Sequence, residues 1–347
     1  MTSIDYKTAG VDVEAGNQAV KRIKNAVEST FSKQVLTGIG NFASMYDLKS
    51  LLEQYKHPVL VQSIDGVGTK MMVARMMQKF DTIGMDLVSA TANDIIVLGA
   101  KPLTLLDYIA NDKLNPLIIE DIIKGMVSAC RDNDISLVGG EMAEMPGTYC
   151  PGELDLVGII TGVVEKDKAI LGQTISEGDI VACFASSGLH TNGYTLARKL
   201  FFDVAAYDVN SHFQDFDQSL GEELLTPHIN YTKPILHLLA NNMPIKGMAH
   251  ITGGGLLENL PRVLPAGCAA QINKNKIPQL PLFNLLRRLS RLDDQELYRT
   301  FNMGAGMVLV FAPEAQTAIC ETLKAFPDFP LYEIGRITHG NREVTLL

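Results

Sequence analysis

Tryptophan is absent from this chain, and cysteine is scarce and scattered. The five cysteines, Cys130, Cys150, Cys183, Cys268 and Cys320, are odd in number and include no C-x-x-C pair. Such spacing excludes a disulfide framework and a structural zinc site, and it suits a reducing compartment. Long apolar runs are missing too, and none approaches the roughly 18 residues that a bilayer-crossing helix needs. The start, Met1-Thr2-Ser3-Ile4-Asp5-Tyr6-Lys7, lacks the basic stretch and apolar core of a secretory signal. Basic charge is in deficit, with 30 Lys and Arg against 39 Asp and Glu, so non-specific binding to nucleic acid is disfavoured. These absences lead us to expect a cytoplasmic protein with neither a membrane nor a nucleic acid as its partner.

What is present describes a globular protein. Hydrophobic residues make up 46% and charged residues 20%, which is incompatible with a disordered chain. At 347 residues the chain is long for a single core, and two domains are expected. A helix near residues 17–30 precedes a glycine-marked turn, Thr37-Gly38-Ile39-Gly40-Asn41-Phe42. Strand-like and helix-like runs then alternate: strands at 59–64, 103–109, 136–138 and 156–164, helices at 82–98 and 118–133. The polar run Glu165-Lys166-Asp167-Lys168 marks the boundary. Beyond it the chain reads as strand 180–185, helix 193–202, a polar loop at 203–219, helices 225–242 and 256–264, and strand 307–311. The expected fold is therefore α/β (or α+β), with domains at 1–167 and 168–347.

Chemistry concentrates where strands end. Ser63-Ile64-Asp65-Gly66-Val67-Gly68-Thr69-Lys70 supplies an acid, two glycines, a hydroxyl and a lysine after an apolar strand. Glycines let backbone N–H groups approach a phosphate, Lys70 can neutralise it, and Asp65 can hold Mg²⁺. The spacing is not that of a P-loop, and an ordinary glycine turn fits it equally. In the mostly apolar helix 82–98, Asp86 and Asn93 fall nearly one above the other, with Asp94 about 80° away. That stripe either makes buried hydrogen bonds or faces Asp65 to bind Mg²⁺ or nucleotide. Asp107 and Glu141 lie in or just after strands, and ligands gather at strand ends in α/β sheets.

The second half holds two turns of glycine and hydroxyl residues, Ser186-Ser187-Gly188-Leu189-His190-Thr191-Asn192-Gly193 and His250-Ile251-Thr252-Gly253-Gly254-Gly255. Each precedes a helix, where free N–H groups attract an anion, although a simple helix cap reads the same way. His190 and His250 can act as acid or base near neutral pH, and Asn302 is a weaker candidate. No Ser-His-Asp triad is visible, and a phosphorylating reaction needs none.

Taken together, these segments resemble the aminoimidazole ribonucleotide synthetases, also called phosphoribosylformylglycinamidine cyclo-ligases. The resemblance runs from Tyr6-Lys7-Thr8-Ala9-Gly10-Val11-Asp12 through DGVGTK at 65–70, Asp81–Leu87 and Asn93-Asp94. It continues through Gly139-Gly140-Glu141-Met142-Ala143-Glu144-Met145-Pro146-Gly147, the two turns, and Tyr298-Arg299-Thr300-Phe301-Asn302-Met303-Gly304. It implies ATP-driven closure of formylglycinamidine ribonucleotide to aminoimidazole ribonucleotide, with the formyl oxygen phosphorylated first. It further implies ATP contacts at Gly40, Phe42, Asp65, Gly66, Gly68, Thr69, Lys70, Asp94 and Glu141, with Mg²⁺ on Asp65, Asp94 and Glu141. Lys70, His190 and His250 are the expected catalytic residues. Ser187, Gly188, His190, Asn192, Gly253 and Gly254 are expected around the substrate, its ribose phosphate being assigned to the two turns from anion geometry. A homodimer paired through its first domains is implied as well.

Two positions depart from the family pattern. Gly40-Asn41-Phe42 stands where Gly-Gly-Phe is common, and Thr191 stands where serine is common. Within the superfamily, a selenophosphate synthetase would carry a reactive Cys or selenocysteine near the start, and no cysteine precedes Cys130. Formylglycinamidine ribonucleotide synthetase and thiamine-phosphate kinase are the remaining alternatives. Lys70→Ala is expected to slow turnover and leave the fold intact.

Overall fold

The computed structural model describes Tyr6 and residues 9–347, so Lys7 and Thr8 of the first motif lie outside the described residues. The chain divides into two units. One comprises the residues up to Ile95 together with Pro102–Lys166, the other Ile96–Lys101 with Asp167–Leu347.

The first unit runs α1 (Val13–Glu28), α2 (Lys49–Gln54), β1 (Pro58–Gly66), α3 (Lys70–Met77), α4 (Ile83–Ile96), β2 (Lys101–Asn111), α5 (Pro116–Asp132), β3 (Ser136–Glu144) and β4 (Leu154–Glu165). Asp12 starts α1 by accepting the N–H groups of Glu14 and Ala15, and Ala19, Ile23 and Val27 form its buried stripe. Asn115 caps α5, and Pro116 takes the first helical position, where its missing N–H costs nothing. The strands form one sheet in the order β1-β4-β2-β3. β1 and β4 pair antiparallel without a break from Pro58↔Glu165 to Gly66↔Val157, and β2 and β3 are parallel. Helices α1 and α5 pack on each other and on β3.

The second unit runs β5 (Ile180–Ala185), α6 (Tyr194–Arg198), α7 (Leu220–Leu225), α8 (Thr232–Ala240), β6 (Ile245–His250), α9 (Gly255–Asn259), β7 (Cys268–Ile272), α10 (Pro281–Ser290), α11 (Asp294–Thr300), β8 (Ala305–Phe311), α12 (Gln316–Leu323), β9 (Leu331–His339) and β10 (Val344–Leu346). Its six strands are ordered β10-β7-β9-β5-β8-β6. β8 is buried along its whole length, which explains the unbroken apolar run Met307–Phe311. The core places Phe184, Met307, Leu309 and Phe311 of the sheet with Ile235 and Leu238 of α8.

The structure corrects two helices. The run read as one helix at 225–242 breaks, because α7 ends at Leu225 and α8 begins only at Thr232. Pro227 forces Thr226 out of helical geometry, to ψ 126°. The helix read at 256–264 is the five-residue α9 followed by a tight 3-10 turn, Leu260–Arg262, that contains Pro261.

Strand polarity builds the second unit's candidate site. β5 and β6 both run antiparallel to β8, one on each side of it. They are therefore parallel to each other, and their C-terminal ends reach the same edge of the sheet, where β8 begins. Ser186–Gly193, His250–Gly255 and Phe301–Gly304 converge there, although they are far apart in sequence.

Candidate functional site

In the first unit, DGVGTK closes β1 and opens α3. Asp65 Oδ1 accepts the N–H of Gly66 at 2.7 Å. Lys70 does not reach the surface: it is fully buried, with Nζ 2.8 Å from Asp86 Oδ2 and 2.9 Å from Oδ1. Burial lowers the Lys70 pKa, opposed by the neighbouring Asp86 carboxylate. The expectation that Lys70→Ala leaves the fold intact therefore has to be revised. Removing the ammonium strands a buried carboxylate.

The polar stripe of α4 is thus partnered, not exposed. Asp86 and Asn93 are fully buried, and Asp94 Oδ2 accepts from Ser63 Oγ at 2.9 Å. Ser63 and Asp65 share a face of β1, because side chains alternate along a strand. Asp94 and Asp65 are thereby associated through β1. Two carboxylates are a donor set of the kind Mg²⁺ takes.

Glu141 lies elsewhere. It sits on β3, and Asp65 sits on β1, the opposite edge of the sheet. Three strand spacings of about 4.8 Å put these two elements roughly 14 Å apart. Among the described residues, no three His, Cys, Asp or Glu side chains are grouped so as to hold a metal. One chain therefore ties Asp94 to β1 through Ser63 and leaves Glu141 on the opposite edge strand.

Glu141 instead lines a cavity of about 480 Å³ with Gly40, Phe42, Asp107, Gly140 and Ile23. Gly40 takes φ +101°, whereas Asn41 stays out of the left-handed region and donates from Nδ2 to the Gly38 carbonyl at 2.9 Å. The departure at Asn41 is thus absorbed without strain. Phe42 is wholly exposed beside the cavity. Asp107 pairs in register with Gly140, and a Cβ at 140 would fall 2.2 Å from its Oδ1, so the carboxyl occupies the space a side chain would take. Burial pushes the Asp107 pKa up to about 7, partly offset by a backbone N–H hydrogen bond.

In the second unit, Asn302 fastens the first turn. Its Oδ1 accepts from Ser186 Oγ and from the Gly304 N–H, both at 2.9 Å, and its Nδ2 donates to the Gly188 carbonyl at 2.8 Å. Ser187 Oγ donates to the Pro227 carbonyl at 2.6 Å. The N–H of Ser187 donates to His190 Nε2 at 3.2 Å, so this nitrogen keeps its lone pair and neutral His190 carries its proton on Nδ1. The second turn is tied by Asn259, whose Nδ2 donates to the carbonyls of Gly253 (3.1 Å) and Gly255 (2.9 Å). Gly255 has φ +56°, and a Cβ there would lie 1.9 Å from the Tyr298 carbonyl oxygen. Gly253 lies against Asn192, with a Cβ position 3.4 Å from Asn192 Oδ1, so the two turns are neighbours. Helix α9 has only five residues, so anion attraction beside it falls to the turn amides more than to a helix dipole, whereas α6 continues as a π-helix over Lys199–Val204.

Three comparisons with known proteins bear on this arrangement. Residues 34–164 match the family described as AIR synthase related protein, N-terminal domain, and residues 176–347 match its C-terminal domain. The chain belongs to the AIR synthase related family. A phosphoribosylformylglycinamidine cyclo-ligase from Syntrophotalea carbinolica is 49% identical over 345 residues, covering 99% of this chain and 98% of its own. One of the same name from Carboxydothermus hydrogenoformans is 46% identical over 347 residues, covering 100% and 99%. Among solved structures, the thiamine-monophosphate kinase of Stenotrophomonas maltophilia K279a superposes with TM-score 0.67 at 20% identity, over 94% of this chain and 95% of the other. A hydrogenase maturation protein HypE in complex with ATP gives 0.66 at 17% identity, over 97% and 92%. These last two likenesses establish the fold.

Within this AIR synthase related chain, two residues escaped the sequence reading. His228 is buried between the two turns, 3.1 Å from His250 and stacked on His190 at 4.0 Å. It sits in a proline-broken stretch that carries no motif. Asn259 follows the glycine turn inside a short helix, where an asparagine has no distinctive pattern. The three hydrogen bonds of Asn302 were equally unreadable from its neighbours in sequence.

Proposed function

We propose that this chain is an ATP-dependent phosphoribosylformylglycinamidine cyclo-ligase of purine biosynthesis, with its working residues at the two sites described. The observation that carries the reading is whole-length identity of 44–49% to proteins of that name. The site geometry fits the chemistry. Formylglycinamidine ribonucleotide and ATP become aminoimidazole ribonucleotide, ADP and phosphate. Transfer of the γ-phosphoryl to the formyl oxygen converts a poor leaving group into phosphate. The ribose-bearing nitrogen then adds to the formyl carbon, phosphate departs, and the imidazole closes. Such a reaction calls for positioning and charge neutralisation more than for a strong nucleophile.

Asp65 and Asp94 would hold Mg²⁺, which supplies charge neutralisation to the phosphate oxygens when bound. The amides of Gly68 and Thr69 face the phosphates, and the cavity of Gly40, Phe42, Asp107 and Glu141, contributed by a second copy, takes the base. Lys70 acts through Asp86, holding α4 and hence Asp94 in place. Ser187, Gly188, Asn192, Gly253 and Gly254 line the substrate's side, where turn amides receive its ribose phosphate.

Glu141 belongs to the same site only if a second copy supplies it. The exposed apolar residues Leu60 and Ile64 of β1, Leu106 of β2 and Ile159 of β4 support a homodimer paired through this sheet, and Ile64 is in register with Ile159. The cytoplasm is the compartment this reading implies. None of the described helices is long and apolar enough to cross a membrane.

The test is turnover of purified protein with formylglycinamidine ribonucleotide and MgATP, following ADP and product mass together. One ADP per aminoimidazole ribonucleotide is expected. ATP binding by folded protein without either product would overturn the assignment. In the same assay, Asp94→Asn should raise the Mg²⁺ concentration needed for half-maximal rate, and an unchanged titration would remove Asp94 from the metal site.

A further inference from the structure

The two glycine turns of the second unit are joined by a residue that belongs to neither. His228, between α7 and α8, is buried and reaches both turns. Its Nε2 lies 3.1 Å from His250 Nε2, and its Nδ1 lies 3.4 Å from Thr191 Oγ1. The ring stacks on His190 with centroids 4.0 Å apart and planes 18° apart.

An Nε2···Nε2 contact constrains both tautomers. One nitrogen must carry the proton while the other offers its lone pair. The direction is set at the far end of the chain of bonds. Asn192 Nδ2 donates to Thr191 Oγ1 at 3.4 Å. A hydroxyl that receives an N–H turns its own proton to its other neighbour, here His228 Nδ1. His228 then bears its proton on Nε2 and donates it to His250 Nε2, which leaves the His250 proton on Nδ1. His190 is held in the same Nδ1–H form by the Ser187 amide.

We infer that His228 is a positioning residue that fixes His250 as its Nδ1–H tautomer, so that His250 serves as a hydrogen-bond donor to an anionic oxygen and not as a general base. The tautomer is inferred from the contacts of His228 with Thr191 and His250, and its use in turnover rests on the reading of 250–255 as part of the substrate site. Because Nε2 is engaged, His250 takes up a proton there only by breaking its bond to His228. The bond also couples the two turns, so Asn192 and Gly253 keep their spacing.

The experiment is ¹⁵N spectroscopy of histidine-labelled full-length protein near pH 8, with kinetics of His228→Gln and His228→Leu. The wild-type spectrum should show His250 protonated on Nδ1. His228→Gln retains an N–H donor and should keep the tautomer and most of the rate. His228→Leu removes the donor and should lose the tautomer bias, with kcat falling roughly tenfold at unchanged KM for ATP. A wild-type His250 protonated on Nε2 would overturn the inference, as would a His228→Leu protein that keeps the Nδ1–H tautomer. If the tautomer changes and kcat does not, the positioning stands and the reading of this turn as part of the substrate site falls. The wild-type spectrum decides the first point even if the leucine variant does not fold.

Discussion

Lys70 shows how one residue can be legible in type and illegible in role. The lysine after two glycines reads as a phosphate contact, yet its ammonium is spent on Asp86 in a fully buried pair. Lys70→Ala should destabilise the protein by about 3–5 kcal/mol, because an uncompensated carboxylate remains inside. Lys70→Met combined with Asp86→Leu should recover most of that loss, since apolar groups of similar volume replace a buried pair at little cost. Urea unfolding of the three proteins decides this, and wild-type stability in Lys70→Ala would refute it. Asp107 makes the opposite prediction. Its folded pKa of about 7 lies above the unfolded value, so its contribution to stability is complete below about pH 4 and is lost as pH rises through 7. Asp107→Asn should therefore be close to neutral at pH 4 and stabilising at pH 8, by on the order of 2–4 kcal/mol. Equal effects at both pH values would show that the carboxyl is solvated.

At the scale of elements, the turns hold the site through contacts remote in sequence. Gly255 has a positive φ and lies against the Tyr298 carbonyl, so α9 and α11 meet only because no side chain intervenes. Gly255→Ala should cost about 2–4 kcal/mol, combining left-handed strain with overpacking, and it should displace the 250–255 turn. Thermal unfolding and substrate KM read these two effects, and a variant normal in both would remove the close approach from the account. The same scale explains the misread helix at 225–242. Pro227 ends α7 and Pro234 falls in the first turn of α8, which places His228 in the irregular segment between them, where it reaches both turns. Strands β6, β7 and β9 carry weak local signals because Lys246, Gly247, Gln271, Gly335 and Arg336 interrupt their apolar pattern. Their pairing partners supply what local pattern lacks.

For the whole molecule, the testable feature is the apolar face of the first sheet. Leu60, Ile64, Leu106 and Ile159 are exposed on three of its strands. Ile64→Asp should convert the proposed dimer to a monomer in light scattering at micromolar concentration. Because Glu141 and Asp65 lie on opposite edge strands of the sheet within one chain, the same variant should weaken nucleotide binding. A dimer that survives, or a monomer that binds ATP normally, would separate the sheet from the site.

By itself the sequence determined the class of fold, the family and the positions at which phosphate-handling turns occur. These are written in local signals: apolar period, glycine spacing, and an acid or hydroxyl at a strand end. Only the tertiary structure decided which of those groups meet. It turned Lys70 inward to Asp86, set Glu141 across the sheet from Asp65, and placed Asn302 and His228 between turns to which nothing in their own segments connects them. The reason is physical. Backbone geometry follows from neighbours along the chain, whereas the partner of a buried charge or imidazole is fixed by which strands lie side by side, and strand order is a property of the folded whole.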